Sequence, residues 1–198
     1  MPTRLNAGAR REQLLDATKA IVARRGFHAV TIEAVAREAG ITRPIVYGHF
    51  EDLAGLLEAL VERETARALE QLSAVMVADL AEGDPNELLL AALRGYLEVV
   101  SADPVTWRLV LMPQEGAPAM LQEQIGRGRA ASIAQLAQAV SPGLVAGEAP
   151  PDPELTARML SAFADEAARL LLADPAAYPI ERILPFARWA LGQLAGRR

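Results

Sequence analysis

Arg43, preceded by Thr42 and followed by Pro44, is the residue of this chain best suited to specific recognition chemistry. A guanidinium can bind guanine O6 and N7 with two parallel hydrogen bonds, and a proline ring can meet a thymine methyl. The plainer alternatives are a solvated arginine and a proline that only starts a helix. Covalent chemistry has far less to draw on. There is no cysteine, so disulfides, thiolate nucleophiles and cysteine-ligated metal sites are impossible. Both histidines, His28 and His49, lie in the first fifty residues, so no Ser-His-Asp arrangement or Glu-x-x-His di-metal motif can arise beyond them. The stretch Gly126 to Ala131 formally matches Gly-x-Gly-x-x-Ala, but it follows no strand pattern. Glu58 and Glu62 have the spacing of a solvated helix face. No enzymatic activity, cofactor or metal is expected.

The elements that must position Arg43 are helices. Ala, Leu, Glu and Arg dominate, and no run of alternating β-branched residues suggests a strand. At 198 residues, 52% hydrophobic and 23% charged, the chain can build one or two real cores, which excludes disorder. No apolar stretch approaches the roughly 18 residues of a spanning helix. The first thirty residues carry no signal-peptide pattern, so a cytoplasmic protein is expected.

Helices are expected near 10–25, 31–39, 42–49, 52–81, 85–101, 104–112, 117–140, 153–173 and 180–195. Asp-Pro pairs at 84–85, 103–104 and 152–153 each precede a helical pattern, because Asp accepts from free amides while Pro at the next position loses no bond. A fourth pair, Asp174-Pro175, reads as a turn before Tyr178-Pro179. Ser141 to Pro153 reads as a loop, and Pro185 as a kink or late start of the last helix.

Charge divides the chain unevenly. Residues 1–50 hold eight bases (Arg4, Arg10, Arg11, Lys19, Arg24, Arg25, Arg37, Arg43) against four acids (Glu12, Asp16, Glu33, Glu38). The remainder holds twelve bases against twenty-one acids. A basic head on an acidic chain points to a polyanionic partner, with chance clustering on a solvated surface as the other reading. Within the head, Leu14, Thr18, Ile21 and Val22 line one helix face that stops at Gly26. Thr31 starts a second helix, with Ile32, Val35, Ala36 and Ala39 inward. Gly40-Ile41 makes a tight turn, and Thr42 starts a third helix. This is a helix-turn-helix arrangement. The third helix is polar at its start and apolar further on, at Ile45, Val46 and Phe50, which suits insertion of its leading end into a major groove. Arg4, Arg10 and Arg11 read either as a tail to the DNA backbone or as solvated disorder, and His28 as surface.

Residues Thr31 to Phe50, with the Ala39-Gly40 turn, the Tyr47-Gly48-His49-Phe50 ending and the Gly26-Phe27 break, resemble the DNA-binding segment of the TetR-type (tetracycline-repressor-like) transcriptional regulators. The resemblance covers about fifty residues; beyond residue 60 only length, helicity and helix order are similar. It implies that Thr31 and Thr42 touch phosphate besides capping their helices. It also implies that Tyr47 and His49 contact phosphate, positioning rather than specifying; Tyr47 packed against its own domain is the alternative. There are departures: Pro44-Ile45 replaces a small residue and Thr, and Leu53 stands where the family usually has Lys.

In the acidic body, Met76, Tyr96, Trp107, Met112, Met120 and Phe163 are either walls of a pocket for a mostly apolar small molecule or ordinary core. The resemblance favours the pocket, since the family's bodies usually bind an inducer. Arg108, Arg127 and Arg129 either balance an anionic ligand or sit in solvent. A small-residue stripe (Ala164, Ala167, Ala168, Leu171) and an apolar face (Phe186, Trp189, Ala190, Leu194) suggest a four-helix homodimer interface, with internal packing as the competing view.

The expectation is an all-α protein of about nine helices. A three-helix helix-turn-helix domain occupies 1–50, and a helical ligand-binding and dimerisation bundle occupies 51–198. It would be a homodimer on a near-palindromic double-stranded DNA operator, more readily a repressor than an activator, released by a small effector. The alternative is a ligand-independent architectural or partner-binding helical protein.

Overall fold

The structure is a computed structural model that describes residues 6–75, 84–112, 119–140 and 152–195. All regular structure among the described residues is helical: α1 (Ala7–Arg25), α2 (Ile32–Glu38), α3 (Arg43–Tyr47), α4 (Leu53–Val75), α5 (Pro85–Ala102), α6 (Pro104–Leu111), α7 (Ala119–Val140), α8 (Pro153–Ala173) and α9 (Ile180–Ala195), plus one 3-10 turn at Phe27–Ala29. No helix among the described residues is long and apolar enough to cross a membrane. Residues 76–81 of the expected fourth helix, 117–118 of the seventh and most of the 141–153 loop lie outside the described residues.

Local chemistry sets the helix starts. Asn6 Oδ1 accepts from the Ala9 amide at 2.8 Å, which begins α1 three residues earlier than its apolar pattern suggests. Asp84, Asp103 and Asp152 accept from the amides of Asn86, Thr106 and Leu155, each with Pro next in the helix. Asp174 accepts from the Ala177 amide at 2.9 Å, within the turn that precedes α9. Pro185 lies inside α9.

The chain divides into two units by its internal contacts: residues 1–66 with 113–125, and residues 67–112 with 126–198. The division falls within α4, sixteen residues beyond the expected boundary at residue 50. The first half of α4 buries Leu56, Leu60 and Val61, and its Glu64 pairs with Lys19 of α1 at 2.7 Å. In the first unit, Leu14, Ile21, Val22, Phe27, Val35, Val46 and Phe50 are all buried, with α1 packed on α2 and α2 on α3. In the second unit, α5 packs on α8 and α9, and α6 packs on α8. Leu97, Val100, Trp107 and Ala168 lie at the centre of that core.

Candidate nucleic-acid interface

The three short elements of the head are locked by their punctuation. Thr31 Oγ1 accepts from the Ala34 amide at 3.0 Å and caps α2. Gly40 then takes φ +66, a left-handed conformation that a side chain would strain, and the Ile41 amide donates to Ala36 O at 2.9 Å. This turn delivers Thr42 in an extended conformation as the residue before α3. Unlike Thr31, Thr42 makes no side-chain cap bond, so its exposed hydroxyl is left for another acceptor.

Helix α3 turns a single residue of its five fully inward. Val46 has no exposure, whereas Arg43, Pro44, Ile45 and Tyr47 are all exposed, Tyr47 at 55%. Arg43 has no ion pair or hydrogen bond with the described residues. Tyr47 is not packed against the domain. His49 is half-buried just after the helix, and Phe50 is buried beyond it. Thus α3 brings Thr42, Arg43, Pro44 and Tyr47 to solvent with His49 at the margin, while Thr31 is exposed at the head of α2.

Two sequence expectations for the head need correction. Ile45 belongs to the exposed face, not to the apolar back of α3, because only Val46 and Phe50 reach inward. Arg10 and Arg11 are not a tail. Both lie on α1, where Arg10 donates to Gln13 Oε1, and the Arg11 guanidinium sits 4.4 Å above the Phe50 ring while donating to His49 O at 3.4 Å. Arg11 therefore braces the end of the third helix, a cation–π contact that sequence spacing does not reveal. Arg24 bonds Glu38 at 2.7 Å and holds that carboxyl below its ordinary range, so this arginine is already matched within the head. Arg4 lies outside the described residues.

The second unit holds the expected effector residues in two places. Tyr96 and Trp107 meet edge to face, with ring centroids 5.2 Å apart, and both are buried. Their polar tips are matched: Trp107 Nε1 donates to Gln71 at 2.9 Å, and the Tyr96 hydroxyl donates to Asp165 at 3.3 Å. Burial first, and the Asp165 charge second, push the Tyr96 phenol well above its usual value. Asp165 also pairs with Arg129 at 2.5 Å, yet burial dominates and raises its carboxyl above the ordinary range. Met112 packs half-buried against the same core. Phe163 stands elsewhere. Half-buried, it stacks on Phe186 at 6.2 Å, and Phe186 meets Trp189 at 5.7 Å, so it sits at the edge of an exposed aromatic pair on α9. Met76 and the side chain of Met120 lie outside the described residues. Of the three arginines considered for an anionic ligand, Arg129 is held by Asp165 and Arg108 donates to Leu172 O at 2.9 Å.

The small-residue stripe is also corrected. Ala167, Ala168 and Leu171 are buried in their own unit and so are not free to face a second copy, while the half-buried Ala164 packs against the same core. The outward ridge of α8 is instead Leu155, Met159 and Phe163, spaced four apart, with Leu155 at 51% and Met159 at 61% exposure. Phe186 at 56% and Trp189 at 60% continue it on α9. Ala190 is half-buried, and the Leu194 side chain lies outside the described residues.

Comparison with known proteins matches residues 14–60 to the sequence model described as bacterial regulatory proteins, tetR family. A curated relative, the HTH-type transcriptional regulator BetI of Cronobacter sakazakii, is 33% identical over 118 residues, 60% of this chain and 57% of that protein. The chain spans about half the length of the curated relatives it matches. Among solved structures, a TetR-like transcriptional regulator from Rhodococcus sp. RHA1 is 25% identical with a TM-score of 0.72, covering 98% of this chain and 100% of that one. The SmeT–triclosan complex is also 25% identical, with a TM-score of 0.71, covering 93% and 90%.

Proposed function

We propose, from the match of residues 14–60 to the tetR family of bacterial regulatory proteins and from the relatives of similar sequence and fold, that the chain is a homodimeric, ligand-responsive transcriptional regulator on a near-palindromic operator, a repressor released by a small effector. The observation that carries this reading is the exposed leading end of α3. Arg43 stands there with no ion pair or hydrogen bond among the described residues, between Thr42, whose hydroxyl makes no cap bond, and the exposed Tyr47 ring. A base-reading arginine needs that freedom, since a guanidinium already paired would have to be stripped before meeting guanine.

Dimerisation is assigned to the apolar ridge of α8 and α9. Exposed Leu155, Met159, Phe186 and Trp189 form more contiguous apolar surface than an isolated side chain explains, and such patches mark interaction sites. Two helices from each subunit would build a four-helix interface under two-fold symmetry, which in turn requires a near-palindromic site.

The effector reading rests on Tyr96, Trp107 and Met112, an apolar and adaptable group with polar handles at Gln71 and Asp165. The SmeT–triclosan complex supports it as a related protein with a small aromatic ligand. Helix α4 contributes residues to both units, and its unbroken backbone is the covalent route from effector to head. A full switch from 1:99 to 99:1 requires about 10⁴-fold preference of the effector for one state.

Titration of operator and random duplexes across a salt series tests the proposal. Affinity for both should fall steeply with salt, and the operator should keep an advantage of roughly 10³ or more. Equal affinity for every duplex at every salt concentration would contradict it.

A further inference from the structure

Ile45 is 41% exposed on a five-residue helix whose one buried residue is Val46. Successive helical residues lie about 100° apart, so Pro44 and Gly48 point away from Val46 and Ile45 and Tyr47 flank them. Ile45 and Pro44 therefore bring a small apolar ledge to the outward side of α3, with Ile45 about 160° around the helix from Arg43 and on the flank opposite Tyr47. In the free protein this ledge contributes nothing. An exposed β-branched residue lowers helix propensity and leaves apolar surface in water.

The surroundings indicate what covers it. Arg43, two residues before it, has no ion pair among the described residues, the exposed Arg37 stands in the last turn of α2, and the first fifty residues carry twice as many bases as acids. That charge selects a polyanion over an apolar protein surface. On the base edges of the DNA major groove, the one apolar group is the thymine 5-methyl. We infer that Ile45 is a specificity-determining residue that reads a thymine 5-methyl in the same half-site as the base pair met by Arg43. The inference rests on the reading of this chain as a DNA-binding regulator, and it extends that reading to a residue where the sequence departs from the family pattern.

Replacement of thymine by uracil deletes the methyl and nothing else. The test begins with the full-length protein and a duplex chosen from a random pool, then replaces each thymine of both half-sites with uracil in turn. One symmetry-related thymine should stand out, with affinity lowered about fourfold per half-site and about fifteenfold when both are replaced. Ile45→Ala should bind the thymine and uracil duplexes equally, and Ile45→Val should keep most of the difference. An unchanged melting temperature in both variants separates this from a folding defect, since Ile45 is not a core residue.

A selected half-site indifferent to every uracil replacement overturns the inference, as does a uracil penalty that persists in Ile45→Ala. Either result leaves the regulator reading intact. A protein that selects no sequence at all overturns both.

Discussion

Lys19 Nζ lies 2.7 Å from a carboxylate oxygen of Glu64, which joins α1 to α4 inside the amino-terminal unit. Glu64 is 2% exposed, and Arg63 supplies a second cation to it at 2.8 Å while reaching Glu12 and Asp16 at 2.9 Å each. A buried carboxylate tolerates its position only while such partners remain. Lys19→Met should therefore destabilise the protein by about 3 kcal/mol, the lower end for a broken buried pair because Arg63 stays in place. Glu64→Gln, which removes the charge and keeps the shape, should cost less. Denaturant unfolding of the two variants checks this ordering, and a more stable Lys19→Met than Glu64→Gln would refute it.

The exposed residues of α3 divide by role. Arg43→Ala should abolish preference at one base pair per half-site, a loss of about 1–3 kcal/mol for the correct sequence. Tyr47→Phe removes a hydroxyl suited to phosphate and should weaken all duplexes alike. Sequence preferences recovered with each variant distinguish the two outcomes. An Arg43→Ala protein that still selects the parental half-site would remove Arg43 from base reading.

Trp189 is 60% exposed and stands beside Phe186, which stacks on Phe163. Large aromatic side chains at the centre of an interface dominate binding energy. Trp189→Ala should weaken self-association by about 2 kcal/mol or more with little change in the unfolding of each subunit. Ala168→Leu, in contrast, overpacks the interior of the second unit and should act on folding. Sedimentation equilibrium of the two variants checks this division. An unaltered dimer in Trp189→Ala would place the interface elsewhere.

Asp165 gives the body a pH dependence of defined sign. Burial raises its carboxyl above the ordinary aspartate range, against the opposing pull of Arg129, Arg169 and the Tyr96 hydroxyl. The folded state therefore holds its proton more tightly than the unfolded state. The stability contributed by that proton is complete below the unfolded value and is lost as pH rises through the folded one. Asn at this position cannot ionise, so the stability of Asp165→Asn relative to wild type should grow as pH rises from the ordinary aspartate range through the raised folded value, and then level off. Urea midpoints between about pH 3 and 7 measure it. A difference that shrinks with rising pH would mean that the Arg129 ion pair outweighs burial.

Much of this architecture was legible because its signals are local. The caps at Thr31, Asp84, Asp103 and Asp152 act within three residues, so sequence spacing reveals them directly. Long-range choices were less accessible. Helix α8 carries apolar residues on two faces, and the packing of α5 and α6 decides that Ala167, Ala168 and Leu171 turn inward while Leu155 and Met159 turn outward, with Phe163 half-buried between them. Helix α3 is too short for a period to emerge, so Ile45 could not be assigned a face by spacing. The seat of Arg11 over Phe50 joins residues thirty-nine positions apart and leaves no mark in local composition.

A protein that presents the leading end of α3 to base-pair edges from each of two subunits must select DNA of matching symmetry. Selection of bound fragments from a random duplex pool by the purified protein tests it most directly. The expected outcome is a recovered near-palindrome whose half-site centres lie roughly 34–36 Å apart, or a multiple of that, on one face of the duplex. A pool that stays random after selection at low ionic strength, or a recovered site with no internal symmetry, would contradict it.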